Sequence, residues 1–318
     1  MEKFPTFFPI ADYWARLQGG EPQLLIWALL VFGLVVGILT GFFGGGGRFL
    51  MAPLLNSLFN VPYNVAVGSD VCQMAGNSTL NILRFKRLNS IDFKLGAWML
   101  VGTVLGIESG AQLLEGLKKA GPFFLFGKAI PVMPVILGFI YGAILVWIGS
   151  VLYREARTGA GDMACEGFMT ASPPAMTSKL QQLHIPPMIS LPVSGIEAIS
   201  IWMILGIGFI TGLLVGFLGS GGGFIRMPAL IYVIGCPMVV AIGTDLFESV
   251  FSMGYGTVSH SLKGNIDLLL VVLILISSAV GNQIGSLLAR RFCHPRVRQA
   301  FAYVALLTVL LILFKLFL

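Results

Sequence analysis

The sequence is poor in charge, and that shortage limits the class of protein. Charged residues make up 11% of the 318 positions, whereas soluble domains carry about 25%. Hydrophobic residues make up 56%, and the mean hydropathy is +0.90. They form continuous blocks of membrane-spanning length, without the polar–apolar alternation of a membrane barrel. The sequence therefore predicts an all-α polytopic membrane protein, and the net charge of +6 reports orientation in the lipid bilayer rather than a nucleic-acid partner.

Residues that commonly build metal sites and catalytic centres are scarce as well. The chain has three widely separated histidines, and its four cysteines form no CxxC pair, so we expect neither a zinc site nor a disulfide framework. Nucleophile and metalloprotease motifs such as GxSxG and HExxH are absent. We therefore predict that the protein is not an enzyme and has no metal and no cofactor.

Glycine, in contrast, is abundant and clusters twice within apolar sequence, at residues 44–47 and 219–223. Glycine runs break helices, and in a bilayer the freed backbone groups are tolerated only where protein or a water-filled cavity satisfies them. Each cluster precedes an apolar segment, 49–59 or 224–234, that is too short to span a membrane. Because helix N-termini attract anions, we predict an anion site at the clusters. The alternative is that the glycines only permit close helix packing.

The two clusters belong to an internal duplication. The halves align without a gap at an offset of 175 positions, an arrangement typical of many secondary transporters. We predict an N-terminal interfacial arm over 1–23, transmembrane repeat 1 over 24–152, a central linker over 153–198 and transmembrane repeat 2 over 199–318. Each repeat is expected to hold about four spanning helices plus one short glycine-preceded half-helix.

Lysine and arginine positions indicate how the repeats are oriented, because these residues are enriched in cytoplasmic loops. If all five segments of each half change sides, eleven basic residues lie on one side and four on the other. If the short segments do not change sides, the bias disappears. An odd number of crossings per half makes the two repeats inverted. A hairpin in which the short segment meets the first one at mid-depth has the same parity.

Acidic residues inside the predicted helices are candidates for ion coupling. Asp70 and Asp245 are equivalent, in Gly-Ser-Asp and Gly-Thr-Asp, and could be functional intramembrane acids or helix N-caps. Glu248 follows on the same helix as Asp245, and its equivalent Gln73 is neutral, so Glu248 is a candidate to couple transport to a proton or sodium ion. Asn77 extends a polar strip from Gln73.

Arg48 and Arg226 lie beside the glycine clusters but are not equivalent in the repeat. A guanidinium can bind an oxyanion through two hydrogen bonds, or its side chain can extend to the membrane interface. Arg226, in the second short segment, is the better candidate. Glu108 is a further intramembrane acid, and we expect His260 at the interface.

Several motifs are specific in combination. They are the glycine runs before a short segment with proline (44–53 and 219–228), the Pro-x-x-x-Ala-x-Gly-Ser/Thr turns (62–69 and 237–244) and the loop Gly264-Asn265-Ile266-Asp267. Together they resemble the TauE/SafE sulfite-exporter family of bacterial membrane transporters. The resemblance implies transport of sulfite, sulfonates or related small sulfur-containing anions, usually export, with energy from an ion gradient.

The sequence thus predicts an ion-coupled secondary transporter for such an anion in the cell inner membrane. A passive anion channel is the alternative, and whether the protein forms a homodimer stays open. The predicted substrate-binding residues are Gly44, Gly45, Gly46, Gly47, Arg48, Gln73, Asn77, Gly219, Ser220, Gly221, Gly222 and Arg226. The predicted coupling or gating residues are Asp70, Asp245 and Glu248.

Overall fold

A computed structural model of the chain describes residues 22–43, 49–85, 91–119, 122–125, 128–157, 186–219, 222–291, 306–312 and 314. The predicted N-terminal arm lies almost entirely outside these residues, as does most of the predicted central linker.

Among the described residues, the first half contains five helices and one hairpin. Long apolar stretches form the long helices, and the proline turn before Tyr63 separates the short helix from the next one. The elements are α1 (Pro22–Phe43), α2 (Met51–Phe59), α3 (Tyr63–Arg84), α4 (Phe93–Lys119), strands β1 (Pro122–Leu125) and β2 (Lys128–Pro131), and α5 (Val132–Arg157).

The second half repeats this order after a second hairpin. Its elements are β3 (Met188–Leu191), β4 (Ile196–Ser200), α6 (Ile201–Leu218), α7 (Gly223–Pro228) continued by a π-helical turn (Ala229–Ile234), α8 (Met238–Leu262) and α9 (Leu268–Arg291). Residues 306–312 are helical.

The prediction of a helical membrane protein is confirmed. Within the described residues, α1, α4, α6 and α9 each contain a segment long and apolar enough to cross a membrane. Helices α3, α5 and α8 have 22, 26 and 25 residues, which also reaches the roughly 20 residues that a span requires. Helix α5 is apolar over Val135–Trp147, whereas α3 and α8 contain buried acidic residues. The two short segments are helical and too short to span, as predicted.

Two antiparallel hairpins depart from the all-α prediction. In the second, Met188 pairs with Ser200 and Leu191 with Ile196, and Gly195 has the positive φ of 70° that the turn requires. The fully buried Leu191 joins a hydrophobic cluster beneath α6. Apolar side chains of the segment before α6 are therefore buried through strand pairing, which the helical pattern of the sequence did not indicate.

Close glycine contacts join helices from different halves. A Cβ atom on Gly37 or Gly41 of α1 would lie within 2.5 Å of the backbone of α9, and one on Gly212 or Gly216 of α6 would lie within 2.2 Å of the backbone of α4. The contacted residues are themselves repeat-equivalent. In both pairs the partner numbers rise together, from Gly37–Ser278 to Gly41–Asn282 and from Gly212–Thr103 to Gly216–Ile107, so each pair runs parallel.

Helices α3 and α8, which are repeat-equivalent, pack against each other in opposite directions. Val71 lies against Gly256, whereas Gly68, earlier in α3, lies against Asn265, beyond the end of α8. Helix α3 runs parallel to α9, and so does α1; hence α1 and α3 run in the same direction. The connection between α1 and α3, which contains short helix α2, therefore returns the chain to the side where α1 began.

Equivalent caps start α4 and α9. The backbone N–H of Asp92 donates to Thr244 Oγ1 at 3.1 Å, and that of Asp267 donates to Ser69 Oγ at 3.0 Å. Each aspartate carboxylate then accepts a bond from the backbone N–H three residues later, at 3.0 and 3.1 Å, which is N-cap geometry. The duplication thus extends to single hydrogen bonds.

The close backbone contacts at the glycines predict that adding a side chain there destabilises the protein. Gly212→Ala places its Cβ 2.2 Å from the Thr103 carbonyl oxygen, so helices α4 and α6 must move apart, which overpacking data suggest costs about 1–3 kcal/mol. Gly206→Ala on the same helix meets nothing within 4 Å and serves as the matched control. Thermal unfolding in detergent should show a lower Tm for Gly212→Ala only. Equal melting of both variants would contradict the close packing.

Candidate functional site

A fully buried arginine lies at the start of the second short helix. Arg226 is 0% exposed and forms an ion pair with Glu248, which is also 0% exposed. Its Nε lies 3.4 Å from Oδ1 of Asp245, and its Nη1 lies 3.4 Å from Ser249 Oγ. Because α8 places positions 245, 248 and 249 on neighbouring turns, three of its side chains face one guanidinium.

Two further contacts hold this cluster in place. The Ser252 hydroxyl donates to Glu248 Oε2 at 3.2 Å, and a Cβ on Gly222 would lie 3.1 Å from Arg226 Nη2. Gly222 has a φ of 63° and its carbonyl accepts the N–H groups of Ile225 and Arg226 at 3.1 and 2.9 Å. Glycine is therefore required at 222 both for its backbone conformation and for the space that the guanidinium occupies.

A polar cavity occupies the equivalent place in the first half. It has an empty volume of about 330 Å³ including its mouth, and its lining includes Met51, Asp70, Gln73, Asn77, Ser278 and Asn282. The Gln73 amide donates to Ser278 Oγ at 2.5 Å, and the Asn77 amide donates to the same atom at 3.0 Å. These residues combine amides, a hydroxyl and one carboxylate, groups that can contact a small polar ligand.

The cavity and the ion cluster correspond position by position. At the offset of 175, Met51 matches Arg226, Asp70 matches Asp245, and Gln73 matches Glu248. One half thus has an arginine and a glutamate where the other has a methionine and a glutamine. The same place in the fold is filled by ion pairs in the second half, whereas in the first half it borders a small cavity.

A family model named "Sulfite exporter TauE/SafE" matches residues 29–312, nearly the whole chain. The chain belongs to the TauE/SafE family. The resemblance drawn from the glycine and proline motifs is therefore confirmed, and the protein is a multi-pass membrane transporter of this family.

Curated relatives agree at the level of class. The chain is 25% identical over 272 residues to the "Probable membrane transporter protein YjnA" of Bacillus subtilis, covering 86% of this chain and 93% of that protein. It is 22% identical to YunE of the same organism, covering 83% and 88%. It is 23% identical over 291 residues to a probable membrane transporter protein of Xylella fastidiosa, covering 89% and 93%. No solved structure matches the chain.

Several predicted site residues of this TauE/SafE protein lie outside the described residues, namely Gly44, Gly45, Gly46, Gly47, Arg48, Ser220 and Gly221. Among the rest, Gln73, Asn77 and Asp70 share the cavity, whereas Arg226, Asp245 and Glu248 share the ion cluster. Gly219, with a φ of 70°, donates its N–H to Val215 at 2.8 Å, so that group caps α6.

The N-cap alternative for Asp70 and Asp245 is wrong. Helices α3 and α8 begin at Tyr63 and Met238, and their N-cap residues Pro62 and Pro237 have φ near −55° and no side-chain cap bond. Because proline fixes φ before each helix, each helix is already two turns long when it reaches its aspartate. Both aspartates are therefore interior, buried carboxylates.

The structure also shows the surroundings of two other candidates, His260 and Glu108. His260 was expected at the interface, but it is 0% exposed, because its side of α8 faces the protein interior, whereas the nearby Val258 and Leu262 are exposed. Glu108 forms an ion pair with Lys263 at 3.0 Å and accepts a bond from Ser259 at 2.7 Å. It thereby links α4 to the end of α8. Sequence reasoning did not find Ser278 and Asn282, since their role depends on the pairing of α9 with α3.

The ion cluster generates a second prediction. Arg226→Met leaves two buried carboxylates without their cation, and removing one partner of a buried pair costs about 3–5 kcal/mol. Adding Glu248→Gln recreates the Met51 and Gln73 pattern of the first half, so the double variant should recover most of the lost Tm. A double-mutant cycle by thermal unfolding measures this coupling. Losses that simply add would show that the two side chains do not depend on each other.

Proposed function

We propose that this protein is a secondary transporter with two inverted repeats that moves a small sulfur-containing anion across the bacterial inner membrane. The substrate class is sulfite, a sulfonate or a related organosulfur anion. The name of the family supports this class and export as the direction, and the relatives' names support membrane transport. We further propose that the movement is coupled to that of an ion.

The buried guanidinium of Arg226 is the observation that carries the proposal. A planar guanidinium offers several N–H donors that match the oxygen atoms of an oxyanion. Charged groups inside a membrane are expensive and mark substrate or ion pathways. In the structure, Glu248 and Asp245 form ion pairs with this guanidinium. An entering oxyanion would therefore replace a carboxylate at Arg226.

Inverted repeats are supported by the directions of the helices. The equivalent helices α3 and α8 run in opposite directions. Helix α1 of the first half packs against α9 of the second, and the equivalent helix α6 of the second half packs in the same way against α4 of the first. Inverted halves support alternating access, because the two can exchange conformations around one site.

Ligand-dependent stability tests the proposal. Sulfite, thiosulfate and taurine should be compared with acetate and chloride, since a ligand that binds only the folded state stabilises it by about 2.7 kcal/mol at 100 times Kd. We expect a higher Tm with sulfur anions only. The Arg226→Met/Glu248→Gln variant should lose the shift, and Lys263→Met, which removes a cation away from the cluster, should keep it.

Two outcomes would contradict this assignment. A shift with carboxylates but not with sulfur anions would refute the substrate class. An unchanged shift in the variant that lacks Arg226 would remove this arginine from the site. Flux in vesicles that shows no saturation and no counterflow would favour a passive channel over a transporter.

A further inference from the structure

The ion cluster carries more negative than positive charge. Among the described residues, one guanidinium faces two carboxylates, Glu248 and Asp245, and both Arg226 and Glu248 are fully buried. Asp245 is the member with some exposure, 12% for its side chain. A buried charge without compensation is strongly unfavourable. A substrate anion added to this cluster would increase the excess of negative charge.

The helices packed around the cluster give it no additional cation among the described residues. Helix α6 has no ionisable residue, and the exposed Tyr232 lies on the π-helical turn after α7. The remaining groups are acidic or weakly acidic, or lie toward helix ends. Helix α3 has Tyr63, Asp70 and Cys72 and ends at Arg84. Helix α4 has Asp92 at its start, bonded to Ser194 at 2.7 Å, Lys94, bonded to Ser190, then Glu108, and Glu115, Lys118 and Lys119 toward its end. Helix α8 has Tyr255, His260 and Lys263 toward its end.

Glu248 is the group best placed to lose its charge. Its Oε2 contacts Arg226 and accepts from Ser252, whereas its buried Oε1 accepts no hydrogen bond from the described residues. When an anion takes the guanidinium, an ionised Glu248 would keep only one hydroxyl donor in a buried place. A protonated Glu248 removes the repulsion, and its O–H can donate to Ser252 or to the anion.

The first half contains a neutral counterpart of that state. Gln73 has nearly the shape of a protonated glutamate, occupies the equivalent position and is hydrogen-bonded to Ser278 at 2.5 Å. The equivalent place in the fold thus accommodates an uncharged side chain of this length, with a hydroxyl as its partner.

We propose that Glu248 binds one proton whenever a substrate anion occupies Arg226, so that proton and anion cross the membrane in the same direction. This inference rests on the proposed anion site. The proton is taken from water on one side, bonds to a Glu248 oxygen, and is released to water on the other side when the Arg226–Glu248 pair re-forms. A monovalent anion would then cross without net charge, so its export would require an outward anion gradient larger than the inward proton gradient. A divalent anion would carry one negative charge, and the negative-inside membrane potential would favour its export.

The proposal predicts the direction in which anion affinity changes with pH. If anion binding requires a protonated Glu248, each ligand strengthens the binding of the other by the same factor. Where free Glu248 is ionised, anion affinity should rise by up to about tenfold for each unit by which pH falls. An antiporter site, in which proton and anion exclude each other, would show the opposite trend.

The binding experiment uses thiosulfate and methanesulfonate, whose own charges do not change from mildly acidic to mildly alkaline pH. We expect affinity for the wild-type protein to rise as pH falls, with one proton taken up per anion bound, measured with a pH indicator in weak buffer. Glu248→Gln should bind the anions with little pH dependence. Glu108→Gln, which changes an acid outside the cluster, should retain the wild-type pH dependence.

Transport in vesicles provides a second readout. With the membrane potential clamped to zero, an acidic exterior should drive accumulation of methanesulfonate by the wild-type protein. Glu248→Gln should exchange methanesulfonate between equal concentrations but should not accumulate it. If the wild-type protein binds these anions with no pH dependence or with weaker binding at low pH, the proton inference is wrong and the proposed function stands. If no sulfur anion binds at any pH, the proposed function itself is wrong.

Discussion

The burial of one guanidinium within a membrane-embedded helix bundle is the constraint on which the rest of the structure depends. Arg226 cannot remain there without counter-charges, so α8 must bring Asp245 and Glu248 to it, with Ser249 and Ser252 completing the contacts. The short helix that carries Arg226 must start beside the cluster, so the helical structure must break between α6 and α7. Gly222 provides both that interruption and the space beside the guanidinium.

The frame around this cluster is held by backbone contact rather than by large side chains. In lipid the hydrophobic effect does not drive helices together, and close packing of small residues takes its place. The glycines of α1 and α6 bring each of these helices against a helix of the opposite half. The two tightly joined pairs pack against α3 and α8, which carry the cavity and the ion cluster. The charged side chains of Arg226 and Glu248 are buried inside the bundle, whereas apolar side chains of α8 such as Phe251 and Val258 are exposed.

Local features of the fold could be predicted from the sequence, whereas the contacts between distant elements could not. The short helices and the starts after Pro62 and Pro237 could be predicted because glycine and proline act on their own neighbourhood. The hairpin at Leu191, the burial of His260 and the contact of Gln73 with Ser278 depend on which distant elements pack together. The sequence identified Arg226 as a binding candidate and Asp245 and Glu248 as coupling candidates, but it did not reveal that the two carboxylates contact the arginine. That contact changes the interpretation of the site from a preformed anion cradle to one that exchanges an internal carboxylate for a ligand.

A cryo-electron microscopy structure with bound thiosulfate would test the central claim most directly. We expect density for the anion against the Arg226 guanidinium, with the Glu248 carboxyl group displaced from it and hydrogen-bonded to Ser252 or to the anion. Anion density at another place in the protein, with the Arg226–Glu248 pair intact, would contradict the claim that this arginine exchanges its internal partner for the substrate.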